Sequence, residues 1–435
     1  MSKLIIEGGT PLNGTHLVPG NKNAALPMLA ATLMASAPVT LENLPNIADV
    51  RNMVKGLQEL GAKVTGDLPN EHRLTIDPRK LRSKCALSRE ICASIRTSFL
   101  FAAPMLAVKG HIHLGSAPGG DSIGRRRLDT HINGLKALGA SFRHYQESGT
   151  MTLTAPKGLT GANFMLDEAS VMATENLVMA AARAKGTTVL YNTACEPHVQ
   201  NLCQMLCAMG ATIEGIGTNR LTITGAEKLK GGTFRVGGDT IEAASYIVAA
   251  LVTKGKLTLQ GIEPEEMKVL EPTFKKFGVK WTMNAEERTL HVPAEQKLKT
   301  QYDLGAAIPT IADGPWPMLP SDALSALIVL ATQTRGTELI HEKMYESRLY
   351  FVDHLIGMGA KIVQCDPHRA VVTGPTRLQG AVVTSPDIRA GIALIIAALC
   401  AKGKTTILNA ESVDRGYEAV EATLASLGAN IQRVE

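Results

Sequence analysis

One phrase recurs six times along the chain: a helical pattern ending in Leu, Met or Phe, then Gly, then Ala or Val. It stands at Leu60-Gly61-Ala62, Leu138-Gly139-Ala140, Met209-Gly210-Ala211, Phe277-Gly278-Val279, Met358-Gly359-Ala360 and Leu427-Gly428-Ala429, about 68 to 81 residues apart. A β-like run follows each copy, and each Gly stands where a helix ends in the left-handed conformation. Upstream of each copy lies a second helix rich in Ala and aliphatics, closed by Gly and a short strand. Examples are ATENLVMAAARAKGTTVLYN, EAASYIVAALVTKGKLTLQG, ALSALIVLATQTRGTELIHE and AGIALIIAALCAKGKTTILN. One unit therefore reads helix, Gly, strand, loop, helix, Gly-Ala, strand, turn, strand. GTNRLTITG and DPHRAVVTG show the closing strand, with polar turn residues followed by alternating apolar and polar positions.

A unit with one apolar helical face and one strand group cannot bury itself, whereas three together can enclose their most apolar helices. Six units of about 70 residues, filling a chain of 435, predict two α/β domains of three repeats each. The enclosed helix is the first of each unit, such as Ile392 to Leu399, apolar on nearly all sides. Only 4% of residues are aromatic, so Ala, Leu, Ile, Val and Met must build both cores. A spare strand, Lys3 to Ile6, precedes the first unit and is expected to pair with the last. The chain then crosses between domains near residues 21 and 237. One domain spans 22–237 and carries a glycine-rich loop at about 115–127; the other is discontinuous, 1–21 with 238–435. This layout predicts an active site in the interdomain cleft.

Lys+Arg 45 against Asp+Glu 40 gives +5, spread along the whole length. That is too mild and too dispersed for a nucleic-acid footprint, but it suits a cleft for small anions. MSKLIIEGGT has no charged-then-apolar targeting pattern, and the longest apolar run, Ala390 to Ala401, is about half of what a membrane helix needs. No membrane insertion is expected. Cys85, Cys92, Cys195, Cys203, Cys207, Cys365 and Cys400 show no CxxC spacing, which points to a reducing, cytoplasmic compartment. Gly403-Lys404-Thr405 looks like the end of a phosphate-binding loop, yet Ala398 stands where that motif requires Gly. Gly215-Ile216-Gly217 lacks the third glycine of a dinucleotide fingerprint. His111 and His113 alternate along a strand without a partner pair at ligand spacing. No metal or redox cofactor is indicated.

Four places carry chemistry. In Gly20-Asn21-Lys22-Asn23-Ala24-Ala25 a loop feeds a helix, and Lys and Asn at a helix start can hold an anion. In Ala117-Pro118-Gly119-Gly120-Asp121-Ser122-Ile123-Gly124-Arg125-Arg126-Arg127 three glycines, a proline and three arginines predict a lid over an anionic ligand. Leu319-Pro320-Ser321-Asp322 opens a buried-type helix. Asp387-Ile388-Arg389 and Asp414-Arg415-Gly416 share the final unit. Arg96, Arg126, Arg389 and Arg415 together suggest several anionic groups, carboxylate and phosphate among them.

The six-fold repeat, GNKNAALP, PGGDSIGRR, PSD and DIRA…VDRGY resemble the enolpyruvyl transferase family, in its UDP-N-acetylglucosamine 1-carboxyvinyltransferase branch, from about Leu4 to Val434. The resemblance implies two inside-out α/β domains, each of three βαβαββ units. It implies phosphoenolpyruvate and UDP-N-acetylglucosamine as substrates and no cofactor. Position by position, Lys22 would contact phosphoenolpyruvate and help protonate it, with Asn23 beside it on the sugar nucleotide. Arg126 would sit near the phosphoenolpyruvate phosphate, and Arg96 would be a further anion ligand. Asp387, Arg389 and Arg415 fall on the carboxylate and phosphate side. Asp322 would accept the proton of the sugar 3-hydroxyl. Leu128, Asp129, Ser170, Val171 and Met344 fall where the family binds uridine and diphosphate. Two alternatives stay open: a transferase for another hydroxyl acceptor, such as a nucleotide or shikimate 3-phosphate, or a non-catalytic sugar-nucleotide-binding paralogue.

Three positions depart from the pattern. Most members carry Cys in the lid loop where this chain has Asp121. A carboxyl there acts as a proton donor only where burial or hydrogen bonding favours its neutral form; otherwise it orders the loop or aids product release. The family's epoxide inhibitor, fosfomycin, alkylates the thiolate, so the resemblance implies fosfomycin resistance here. Glu168 stands where many members place Lys near the diphosphate, and Met172 where they often have Gly.

Overall fold

The computed structural model describes residues 2–121 and 123–435; Ser122 of the glycine-rich loop lies outside them. The chain divides into two units. One comprises Gly20–Gly120 with Arg126–Gly237; the other comprises the chain up to Pro19, Asp121–Arg125 and Gly238–Glu435. The repeat placed the whole 115–127 loop with the first of these, but the tip, Asp121–Arg125, groups with the second. The reason is local: Ser347 N–H donates to the Ile123 carbonyl at 3.1 Å, and Arg125 N–H donates to Glu346 Oε2 at 3.2 Å.

Among the described residues, six four-stranded sheets repeat one topology, three in each unit. In Asn163–Met165, Thr187–Tyr191, Thr212–Glu214 and Arg220–Thr224 the first two strands pair in parallel. The last strand then pairs antiparallel with both its neighbours. Helices Val171–Ala181 and Pro197–Met209 fill the connections, giving βαβαββ. The edge strand of two to four residues that opens such a unit, for instance Ala86–Leu87 or Val382–Thr384, did not show in the sequence. Segments so short carry no periodicity.

Distant segments complete three of the sheets. Lys3–Glu7 inserts between Lys404–Leu408 and Asn430–Val434, antiparallel to both, and so supplies the last strand of the last unit. Asn13–Leu17, not foreseen as a strand, runs parallel to Lys256–Gln260. Gly232–Arg235 returns to lie parallel to Val39–Glu42.

Helices lie inside and sheets outside in each unit. Thr240–Val252, Ser321–Gln333 and Ile388–Cys400 pack on one another. Ile388–Cys400 is buried along all but its last residue, as its all-round apolar sequence requires. In the other unit Val171–Ala181 packs on Ala102–Lys109, and each unit has its own aliphatic core. Gly61, Gly139, Gly210, Gly278, Gly359 and Gly428, the glycines of the recurring phrase, all take positive φ, between 74° and 117°. A side chain there would meet the left-handed penalty, so the phrase marks helix ends. Among the described residues no helix is long and apolar enough to cross a membrane.

Candidate active site

In the unit formed by Gly20–Gly120 and Arg126–Gly237, Lys22 opens helix Lys22–Ala31, capped by Asn21, whose side chain accepts the Ala24 N–H at 3.1 Å. The helix dipole disfavours a cation there, and Asp49 offsets this: its Oδ2 lies 2.9 Å from Lys22 Nζ, with the side chains 4% and 11% exposed. An ammonium beside first-turn N–H groups is a seat for an anion. Asn23, next along the turn, is half-buried.

Arg96 opens the turn Arg96–Phe101 and fastens the chain after the glycine-rich loop, donating from Nη2 to the carbonyls of Arg126 and, at 3.3 Å, Arg127. Arg126 is half-buried. Leu128, half-buried, precedes helix Asp129–Ala137; Asp129 is exposed, its Oδ2 3.4 Å from Arg127 Nε. Ser170 caps helix Val171–Ala181 through a 3.4 Å bond from Ala173 N–H, and Val171 opens the helix half-buried. Glu168 is exposed to solvent, and Met172 packs against the core. Beneath Arg96, burial and then the Arg96 charge push His131 down to about 3, so its ring is neutral where Asn176 donates to it at 3.0 Å.

In the other unit Asp322 stands in the first turn of Ser321–Gln333 and is clasped by two arginines. Oδ1 accepts from Arg348 Nη2 at 2.9 Å and Oδ2 from Arg389 Nη2 at 2.8 Å. Arg389 sits in the first turn of Ile388–Cys400, capped by Asp387, whose Oδ1 accepts the N–H groups of Arg389 and Ala390 at 2.8 and 3.0 Å. Burial works against the Arg389 charge, but Asp322, then Tyr417 and Asp239, hold its pKa above the ordinary value. Arg389 also donates from Nη1 to Tyr417 Oη at 3.2 Å and lies over that ring. Burial pushes the Asp387 carboxyl up, opposed by the Ala390 and Arg389 N–H groups and by Arg348.

Asp121 accepts from Arg415, which ends the turn Ala410–Arg415. Asp414 turns instead to Arg433, at 2.7 and 3.0 Å. Met344 is exposed in the loop after strand Gly336–His341, its N–H donating to Glu342 Oε1 at 2.9 Å.

Thus Asp322 meets Arg389, Asp121 meets Arg415, and Arg96 holds the Arg126 carbonyl. Lys22 meets Asp49, which the sequence did not single out. Arg348, Glu342 and Tyr417 were missed as well. Tyr417 closes the DRGY motif; Arg348 had no signal beyond a charge within ESRLYF. Among the described residues, no group of three or more His, Cys, Asp or Glu side chains could hold a metal ion.

Known proteins share this architecture and sequence. The structure matches that of an enolpyruvyl transferase from Streptomyces tendae, NikO, with a TM-score of 0.86 at 24% identity, covering 100% of this chain and 99% of that one. The likeness shows the fold. The family model described as EPSP synthase (3-phosphoshikimate 1-carboxyvinyltransferase) matches residues 6–424. A Treponema denticola protein named UDP-N-acetylglucosamine 1-carboxyvinyltransferase is 48% identical over 435 residues, covering 100% of both chains. A Bradyrhizobium diazoefficiens protein of the same name is 47% identical over 430 residues, 99% of this chain and 97% of its own length. The chain belongs to the enolpyruvyl transferase family, in its UDP-N-acetylglucosamine 1-carboxyvinyltransferase branch.

Proposed function

We propose that the chain transfers the enolpyruvyl group of phosphoenolpyruvate to the 3-hydroxyl of UDP-N-acetylglucosamine, releasing phosphate. This is the committed step of peptidoglycan synthesis, and through it of wall growth, cell shape and division; the enzyme works in the cytoplasm. The observation that carries the chemistry is the clasp on Asp322, a carboxylate oriented at both oxygens by Arg348 and Arg389. The full-length identity to carboxyvinyltransferases of UDP-N-acetylglucosamine supports the acceptor.

The vinyl methylene carbon of phosphoenolpyruvate takes a proton while the sugar hydroxyl attacks the neighbouring carbon and passes its proton to Asp322. A tetrahedral adduct results. Loss of a proton from the new methyl group and breakage of the carbon–oxygen bond to phosphate restore the vinyl group. Lys22, with its ammonium at a helix start, binds phosphoenolpyruvate and assists protonation. Asn23 contacts the sugar nucleotide. Arg96, Arg126, Arg389 and Arg415 stabilise the carboxylate and the departing phosphate, where negative charge grows. Asp387 fixes the Arg389 turn beside the substrate. Leu128, Asp129, Ser170, Val171 and Met344 bind the uridine and diphosphate parts. Exposure of Glu168 lets its carboxylate point away from a diphosphate. Asp121 takes the place of the family's thiol and, through Arg415, orders the loop; a carboxylate is a poor nucleophile toward an epoxide, so the enzyme resists fosfomycin.

Phosphate release with UDP-N-acetylglucosamine, shikimate 3-phosphate and UMP offered separately tests the reading. Release with the sugar nucleotide alone is expected; release with another acceptor overturns the assignment of substrate.

A further inference from the structure

Behind Asp322 lies a second acidic pair that the reaction above does not use. Glu342 and Asp313 are both fully buried. Glu342 Oε1 accepts the N–H groups of Met344 and Tyr345 at 2.9 and 3.0 Å. Ser321 Oγ reaches both Glu342 oxygens, at 3.1 and 2.8 Å. Asp313 Oδ1 accepts Lys343 N–H at 2.5 Å, while its Oδ2 is buried and no donor among the described residues reaches it. The Asp313 carboxyl is close enough to Glu342 to oppose its charge. Two ionised carboxylates so placed repel each other in a low-dielectric interior, whereas one shared proton turns the contact into a hydrogen bond and satisfies Oδ2.

Arg348 links this pair to Asp322. Its guanidinium is 3% exposed, donates from Nη2 to Asp322, and leaves Nε and Nη1 without a hydrogen-bond acceptor among the described residues; Nε stands 3.6 Å from Glu342 Oε2. Spare buried donors beside a carboxyl form a bistable contact, because a full charge on Glu342 would attract the arginine away from Asp322. The other groups around it are Tyr345, whose ring lies 5.0 Å from the guanidinium; Asp387, within its field; and His368, whose Nδ1 lies 2.8 Å from the Glu342 carbonyl oxygen.

We propose that Asp313 and Glu342 are positioning residues that share one proton and thereby keep Arg348 turned onto Asp322, so that loss of that proton frees Asp322 and slows enolpyruvyl transfer. The proposal rests on the functional reading above and deepens it. Burial, reinforced by Asp313 and opposed by Arg348, pushes the Glu342 carboxyl up to about 8. Below that range Arg348 orients Asp322. Above it Glu342 competes for the arginine and kcat falls.

The test is kcat and KM against pH for the wild type, Glu342→Gln, Glu342→Ala and Asp313→Asn, with melting curves to establish folding. Glu342→Gln keeps a neutral group that donates to Asp313, so its neutral-pH kcat should stay within about threefold of wild type and the alkaline fall should vanish. Glu342→Ala should lose about 10- to 100-fold in kcat with little change in KM. In Asp313→Asn the amide replaces the proton as donor. Glu342 then loses that support while burial still holds its carboxyl above the ordinary value, so the alkaline fall in kcat should begin at lower pH than in the wild type. A protonated-carboxyl stretch in the infrared at neutral pH should disappear in Glu342→Gln and titrate at lower pH in Asp313→Asn. An unchanged alkaline fall in folded Glu342→Gln overturns the proposal, as does an infrared spectrum with no such band lost. A wild type that turns over no substrate overturns the functional reading instead, and the infrared band then decides the shared proton by itself.

Discussion

Asp121 and Arg415 are joined by a charge-assisted hydrogen bond between residues 294 positions apart, from the guanidinium Nη1 to the carboxylate Oδ1. The bond links the glycine-rich loop to the last repeat at the position where the family carries a thiol.

Preincubation with fosfomycin should therefore leave the wild type fully active and unmodified. Asp121→Cys restores a thiol beside a guanidinium, which favours the thiolate. That variant should lose activity with time and gain the mass of one inhibitor. A covalent adduct on the wild type would contradict the account.

Asp322→Asn keeps the shape of the clasp and removes the base. A positioned base contributes about 10²- to 10⁴-fold, so kcat should fall by that order with KM little altered. The variant leaves Arg348 and Arg389 facing a neutral amide, and its melting temperature should drop as well. Retention of kcat would remove Asp322 from the role given to it.

The Lys22–Asp49 pair separates stability from chemistry. Lys22→Gln leaves the Asp49 carboxylate buried without its cation, which costs about 3 to 5 kcal/mol when such a pair is broken. Adding Asp49→Asn should recover most of the stability and none of the activity. Activity returning with stability would make Lys22 structural.

Glu338 is fully buried in strand Gly336–His341, hydrogen-bonded by Thr300, and burial pushes its carboxyl up to about 7 against that bond. A carboxyl raised in the folded state favours folding below its unfolded pKa of 4.5 and loses that contribution as pH rises through 7. Glu338→Gln should thus raise the melting temperature at pH 8 and do so little at pH 5. The gap between 4.5 and 7 corresponds to about 3 kcal/mol at most. Equal effects at both pH values would refute the shift.

The repeat made the fold legible because each phrase couples a helix, a stop and a strand. The six glycines with positive φ and the all-apolar helices stand where that phrase requires. What escaped was non-local. Asn13–Leu17 reads as polar loop until Lys256–Gln260 lies beside it, and the edge strands are too short for alternation. The candidate site divides in the same way. Asp322, Arg389 and Arg415 could be named from motifs, whereas Asp49, Arg348 and Glu342 are defined only by the charges they meet after folding.

The most direct test is turnover of phosphoenolpyruvate and UDP-N-acetylglucosamine in deuterated water, with phosphate measured and the sugar-nucleotide product weighed. Addition and elimination through a methyl-bearing adduct predict one phosphate per product, a mass gain of one enolpyruvyl group, and deuterium in its vinyl carbon. Absence of phosphate, or a product without solvent deuterium, would contradict the account.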